Sequence, residues 1–126
     1  MSIFTHVTVG SNDLEKSRTF YDKVLGALGL KRLYDDESRS AWGAERPAVM
    51  VGKPLDGQAA TRANGGTIGL TAPSRAAVDN FHLEALANGG TCDGPPGLRS
   101  FAPNAYGAYV RDPDGNKFCA YCYAPE

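Results

Sequence analysis

At 126 residues, with a formal net charge of −1 and 42% hydrophobic residues, the chain has the length and composition of one globular domain. Lys and Arg are scattered and balanced by Asp and Glu, which leaves no electrostatic footprint for nucleic acid or an anionic membrane. No apolar run is long enough to span a bilayer, and the N-terminus lacks the regions of a signal peptide, so the expectation is a soluble cytoplasmic protein without nucleic-acid or membrane partners.

The first predicted element is a strand over residues 3–9, with Phe4, His6 and Thr8 on one face. Asn12 reads as an N-cap, with Glu15 completing a box-like start. The helix then runs to about Leu28, with Leu14, Tyr21, Val24, Leu25 and Leu28 as its apolar stripe and Gly29 as its stop. Strands follow at Leu30–Tyr34, Arg39–Gly43 and Ala48–Gly52, then a polar linker over Lys53–Gly65. A strand over Thr67–Thr71 opens the second half. Pro73-Ser74 starts a helix to about Asn88, with Val78, Phe81, Ala85 and Leu86 inward and Gly89-Gly90 ending it. Asp93–Pro103 is rich in Gly and Pro and reads as an irregular loop. Tyr106–Arg111 and Lys117–Tyr123 read as strands joined by the hairpin turn Asp112-Pro113-Asp114-Gly115.

The two halves repeat one unit. His6-Val7-Thr8-Val9 precedes Phe20, Leu25 and Gly29; Thr67-Ile68-Gly69-Leu70 precedes Phe81, Leu86 and Gly90 at the same offsets. The fold class is therefore α+β: two βαβββ modules, roughly residues 1–55 and 65–126, in one domain spanning 1–126, forming an open, barrel-like concave sheet. A paired repeat is expected to enclose a cavity that His6 and its counterpart Thr67 both face. The odd number of cysteines (Cys92, Cys119, Cys122) argues against a disulfide framework. Cys119 and Cys122 have redox-motif spacing, but on a strand residues three apart point to opposite faces.

In order and spacing, several segments resemble the vicinal oxygen chelate superfamily, which includes glyoxalase I, extradiol dioxygenases, fosfomycin-resistance enzymes and bleomycin-resistance proteins. The carriers are His6-Val7-Thr8-Val9, Asp13-Leu14-Glu15-Lys16-Ser17, Phe20-Tyr21, Ala72-Pro73-Ser74, Gly94-Pro95-Pro96-Gly97 and Tyr106 to Asn116. The resemblance implies a divalent metal in the cleft, held by His or Glu from the first and last strands of the repeats and chelated by two substrate oxygens. A metal there acts as a Lewis acid with open coordination positions. At the implied ligand positions this chain has His6, Thr67 and Cys119; at loop positions where relatives carry His and Tyr it has Ala102 and Ala105.

Two readings follow. In one, the metal is gone, no cofactor is needed, and the cleft binds a small organic ligand directly, as bleomycin-binding relatives do. In the other, His6 and Cys119 help hold zinc, nickel, manganese or iron in a glyoxalase-like lyase or isomerase, or a dioxygenase-like oxidoreductase; structural and catalytic zinc sites ordinarily need more protein ligands than two. His6 and Cys119 are also the candidate catalytic pair, since a Cys–His pair can activate a thiolate. Tyr109 and Tyr121 share the alternating face of Cys119 and form a candidate ligand wall with Phe4 and Trp42. Thr67 joins them as the counterpart of His6, and Arg99 as a carboxylate- or phosphate-binding loop residue. Each has a plainer reading as well: core aromatics, a solvated arginine, a small buried thiol. Relatives commonly dimerise, and a homodimer is expected.

Overall fold

The structure is a computed structural model that describes residues 2–126. Its elements, in chain order, are β1 (Val7–Gly10), α1 (Leu14–Gly26), β2 (Lys31–Asp35), β3 (Arg39–Gly43), β4 (Pro47–Gly52), β5 (Ile68–Thr71), α2 (Arg75–Ala87), β6 (Thr91–Arg99), β7 (Ala105–Arg111) and β8 (Lys117–Cys122). They form two sheets of the same plan, ordered β1-β4-β3-β2 and β5-β8-β7-β6, and neither closes into a barrel. The first strand of each module pairs in parallel with the last, and the remaining pairs are antiparallel. The expected βαβββ unit, present twice, is thus the architecture.

Local chemistry explains the boundaries. β1 is shorter than its apolar pattern. In register, Val7 faces Val49, so earlier residues would run against Pro47, which has no N–H for the ladder. The N-cap of α1 is Asp13, not Asn12: the Asp13 carboxylate accepts from the Lys16 amide at 3.2 Å. A carboxylate also suits the positive end of the helix dipole. Asn12 is used differently, holding Ala60 by two hydrogen bonds: its Nδ2 donates to the Ala60 carbonyl at 3.0 Å and its Oδ1 accepts from the Ala60 amide at 2.7 Å.

Two further expectations are corrected. Leu86 is 46% exposed, because the inward position on that turn of α2 belongs to Ala85. The segment read as an irregular loop contains β6, which pairs along β7 with register shifts around Gly94 and Gly97. The Gly/Pro content misleads here because β6 is the sheet edge. There, the missing N–H groups of Pro95 and Pro96 are tolerated, and the glycines permit bulges.

The space between the modules is a single hydrophobic core. Both helices and both sheets contribute to it, with Phe20, Tyr21, Leu25, Trp42, Val78, Phe81 and Phe118 fully buried. Tyr21 of α1 touches Trp42 of its own module and Phe118 of the other, with ring centroids 5.4 and 5.5 Å away. Gly90 is required at this junction: a Cβ there would lie 2.6 Å from the Phe20 ring and 2.5 Å from the Arg111 carbonyl.

The Asp112–Asn116 turn is also a latch. Asp112, itself buried, accepts from the Tyr21 hydroxyl at 2.5 Å and from the Asn116 side chain and amide at 2.8 Å each. Asn116 in turn donates to the Gly10 carbonyl at 3.0 Å, and Asp114 accepts from the Asn12 amide at 3.1 Å. Burial pushes the Asp112 carboxyl up against the opposing pull of these donors, and it pushes the Tyr21 phenol well above its ordinary value, helped by the Asp112 charge.

Candidate functional site

With one face of each sheet packed on helices, the chemistry lies on the opposite, outer faces. On the second sheet, strand alternation sorts β8 cleanly. Phe118, Ala120 and Cys122 enter the core, while Cys119 and Tyr121 point outward beside Ala105 and Tyr109. The Tyr109 and Tyr121 hydroxyls lie 2.7 Å apart. One phenol of such a pair donates to the other, which leaves a second O–H free for a ligand acceptor.

Two cations flank the Tyr109 ring: the Arg99 guanidinium at 5.6 Å from its centroid and the Lys117 ammonium at 5.2 Å. Arg99 is held in place, donating to the carbonyls of Gly97 at 2.8 Å and Pro95 at 2.9 Å. Gly94, at φ 151°, makes room for it; a Cβ there would come within 3.2 Å of both Arg99 and Tyr109. Lys117 and Arg111 both pair with Asp93 at 3.1 Å. Beyond Tyr121 the aromatic surface continues, with Phe101 edge-on at 5.5 Å and Tyr123 stacked at 5.6 Å.

Cys119 sits behind this wall, its sulfur 3.3 Å from where a side chain on Gly69 would begin. Burial pushes its thiol up, despite the opposing pull of the Tyr109 hydroxyl and the Lys117 charge. The Tyr121 phenol is also raised, by burial first and then by Tyr109. At neutral pH both groups are therefore protonated. The arrangement can stack a flat ring, donate a hydrogen bond to an oxygen and oppose a negative charge.

The structure brings together Arg99, Tyr109, Cys119 and Tyr121. Thr67 lies exposed just ahead of β5, two residues before Gly69. The other three are elsewhere. Phe4 is 65% exposed in the segment before β1. His6 is exposed in the same segment, its Nδ1 3.0 Å from the Thr5 hydroxyl. Trp42 is fully buried on the helix side of the first sheet, donating to Asp22 at 3.0 Å. Lys117 went unnoticed in the sequence, yet it lies two residues before Cys119 on a strand and so shares its face.

The divalent metal usual in such folds can be tested against these donors. Among the described residues, no three His, Cys, Asp or Glu side chains come together. The His6 imidazole pairs with the Thr5 hydroxyl at 3.0 Å, in the segment before β1, and not with Cys119 or Thr67. Among the described residues, the donors at the implied ligand positions, His6, Thr67 and Cys119, do not form a three-ligand set for the metal.

The comparisons agree with the architecture. The model of the glyoxalase/bleomycin resistance protein/dioxygenase superfamily matches residues 3–120, and the chain belongs to that superfamily. A crystal structure of a glyoxalase/bleomycin resistance protein from Albidiferax ferrireducens T118 is 46% identical, with a TM-score of 0.87 over 95% of this chain and 98% of that one. A glyoxalase/bleomycin resistance protein/dioxygenase family enzyme from Burkholderia phytofirmans PsJN shares the fold at 17% identity, TM-score 0.74, covering 95% and 98%. So does the fosfomycin resistance protein FosX from Listeria monocytogenes, at 18% identity, TM-score 0.67, covering 96% and 93%. Among curated proteins, none matches the chain significantly. No helix of the described residues is long and apolar enough to cross a membrane.

Proposed function

We propose that this chain binds a small, flat organic molecule on the outer face of its second sheet, without the divalent metal usual in its superfamily. One observation carries the reading: the paired hydroxyls of Tyr109 and Tyr121, 2.7 Å apart, stand beside a guanidinium fixed by backbone carbonyls. A ligand ring stacks on the Phe101–Tyr121–Tyr123 surface, a free phenolic O–H binds its oxygen, and Arg99 with Lys117 opposes its charge. The protonated Cys119 contributes shape rather than nucleophilicity.

The protein is a cytoplasmic homodimer in this reading. Three free cysteines suit a reducing compartment. Leu98, exposed on the edge strand β6, offers an apolar edge that a second copy would cover.

The test is metal analysis of protein purified without a His tag, followed by incubation with zinc, nickel, manganese or iron(II) and assay on hemithioacetals and catechols. No stoichiometric metal and no turnover are expected. Turnover that requires both a metal and His6 overturns the proposal. Light scattering after size exclusion checks the dimer; a monomer at high micromolar concentration contradicts it.

A further inference from the structure

Residues 123–126 follow β8 without regular structure, yet Tyr123 belongs to the aromatic surface of the second sheet. Alternation carries on past Cys122, so the Tyr123 ring falls on the side of Tyr121. The two rings stack at 5.6 Å with their planes 12° apart. No strand pairing extends to Tyr123, which is 54% exposed. Something other than the sheet must hold this ring in place.

That role falls to α2. Arg75, the first residue of the helix, donates from one Nη to the Ala124 carbonyl at 3.3 Å and faces the Glu126 carboxylate at 3.7 Å. Among the described residues, the hydrogen bond and the ion pair that hold residues 124–126 both come from this one side chain. Glu126 is 92% exposed, so its pair contributes little and the Ala124 carbonyl is the anchor point. Helix chemistry does not explain the arginine, because a cation in the first turn opposes the helix dipole. Its head is nonetheless fixed. The guanidinium lies over the Tyr106 ring at 5.1 Å, and the Tyr106 hydroxyl donates at 2.6 Å to Asp79, one turn further along α2. The Arg75 Nε is buried with no hydrogen-bond partner, a cost that the stacking and the Ala124 contact must offset.

From this chain of contacts, and resting on the second-sheet reading above, we infer that Arg75 is a positioning residue for that site: it fixes residues 123–126 so that Tyr123 completes the surface on which a flat ligand stacks. Tyr106 packs against the core on the helix side of the sheet, and Tyr109 and Tyr121 face the other way. Arg75 therefore acts through Tyr123 without touching the ligand. Releasing the anchor frees Tyr123 and leaves a narrower stacking surface of Tyr121 and Phe101.

The test titrates benzoate into the full-length ¹⁵N-labelled chain and compares wild type, Arg75→Met, Tyr123→Ala and the double variant. Backbone order parameters are measured on the same samples. Tyr123→Ala is expected to weaken benzoate by about three- to ten-fold, the worth of one aromatic contact. Arg75→Met should weaken it by the same amount or less, and should lower the order parameters of Tyr123 and Ala124 below about 0.6. In the Tyr123→Ala background, Arg75→Met should weaken benzoate no further, because both changes act through one ring. A merely structural role for Arg75 would lower the affinity in both backgrounds. Arg75→Lys, whose point charge lacks the planar stack on Tyr106, should loosen the same residues and gives the second reading should Arg75→Met fail to fold. Unchanged order at Tyr123 and Ala124, unchanged affinity in Arg75→Met, or additive losses in the double variant would each overturn the inference and leave the second-sheet reading standing. No shift of residues 105–109 and 117–121 in wild type at millimolar benzoate would overturn that reading, and this inference with it.

Discussion

The two sheets have the same strand order and the same helix-packed inner face, yet their outer faces have diverged. The first sets small residues, Gly10, Gly52, Ala41 and Thr8, among Tyr34, Arg39 and Met50, and the linker over residues 53–61 runs beside it. The second is furnished: Tyr109, Tyr121 and Cys119 fill the corresponding side of the sheet, cations flank them, and no linker crosses among its lining groups. The inner faces of both modules share one packed core, where packing density constrains every side chain. The outer faces differ in chemistry: one lies beside the linker and the other displays aromatic hydroxyls.

The largest expected effect breaks both faces at once. Asp112→Ala strips the acceptor from Tyr21 and Asn116 in a buried site, and should cost about 2–4 kcal/mol. Urea melts followed by circular dichroism measure it. A loss below about 0.5 kcal/mol would mean that the turn does not latch the modules.

Gly107→Ala comes next and separates the faces. A Cβ there would sit 2.4 Å from the Tyr121 ring, so about 1–3 kcal/mol should be lost and the second face disordered, with the first module's amide shifts unchanged. Gly69→Ala, facing the Cys119 sulfur at 3.3 Å, should be milder in the same melt.

The buried phenol of Tyr21 supplies a pH dependence. Its folded pKa lies above the unfolded value of about 10, so it holds its proton more tightly when folded. Its contribution to stability is complete below that pH and is lost as the pH rises through and beyond it. Tyr21→Phe should flatten the alkaline arm of the stability curve, and an unchanged slope would assign the alkaline loss to other groups. In the same pH range, alkylation by iodoacetamide should label exposed Cys92 first and Cys119 only under more alkaline conditions.

The smallest effect on stability belongs to the cations. Lys117→Gln, at the surface, should change stability by about 0.5 kcal/mol or less while weakening an anionic ligand on the second face. A thermal melt beside a ligand titration separates the two.

Much of this was legible in the residues. The equal offsets of Phe20 and Phe81 gave the duplication, and both side chains are buried in equivalent turns of α1 and α2. Alternation placed Tyr109, Cys119 and Tyr121 together, because β8 is regular throughout its pairing with β7. Trp42 defeated the same argument. β3 is hidden on both faces, so period two could not show which side meets the helix, and Tyr21 and Asp22 of α1 decide it. Arg99 read as a loop charge because its strand is an edge with two prolines. The docking of the linker beside the first sheet had no pattern to reveal it, because the grip of Asn12 on Ala60 spans 48 residues of chain.

The most direct test of the central claim is a fragment titration on the ¹⁵N-labelled chain, comparing wild type with Tyr109→Phe and Tyr121→Phe. Flat, oxygen-bearing aromatic fragments should move the amides of residues 105–109 and 117–121, and each lost hydroxyl should weaken them by about three- to ten-fold, the worth of one hydrogen bond. Fragments that leave those amides still, or bind both variants as tightly as wild type, would contradict the account.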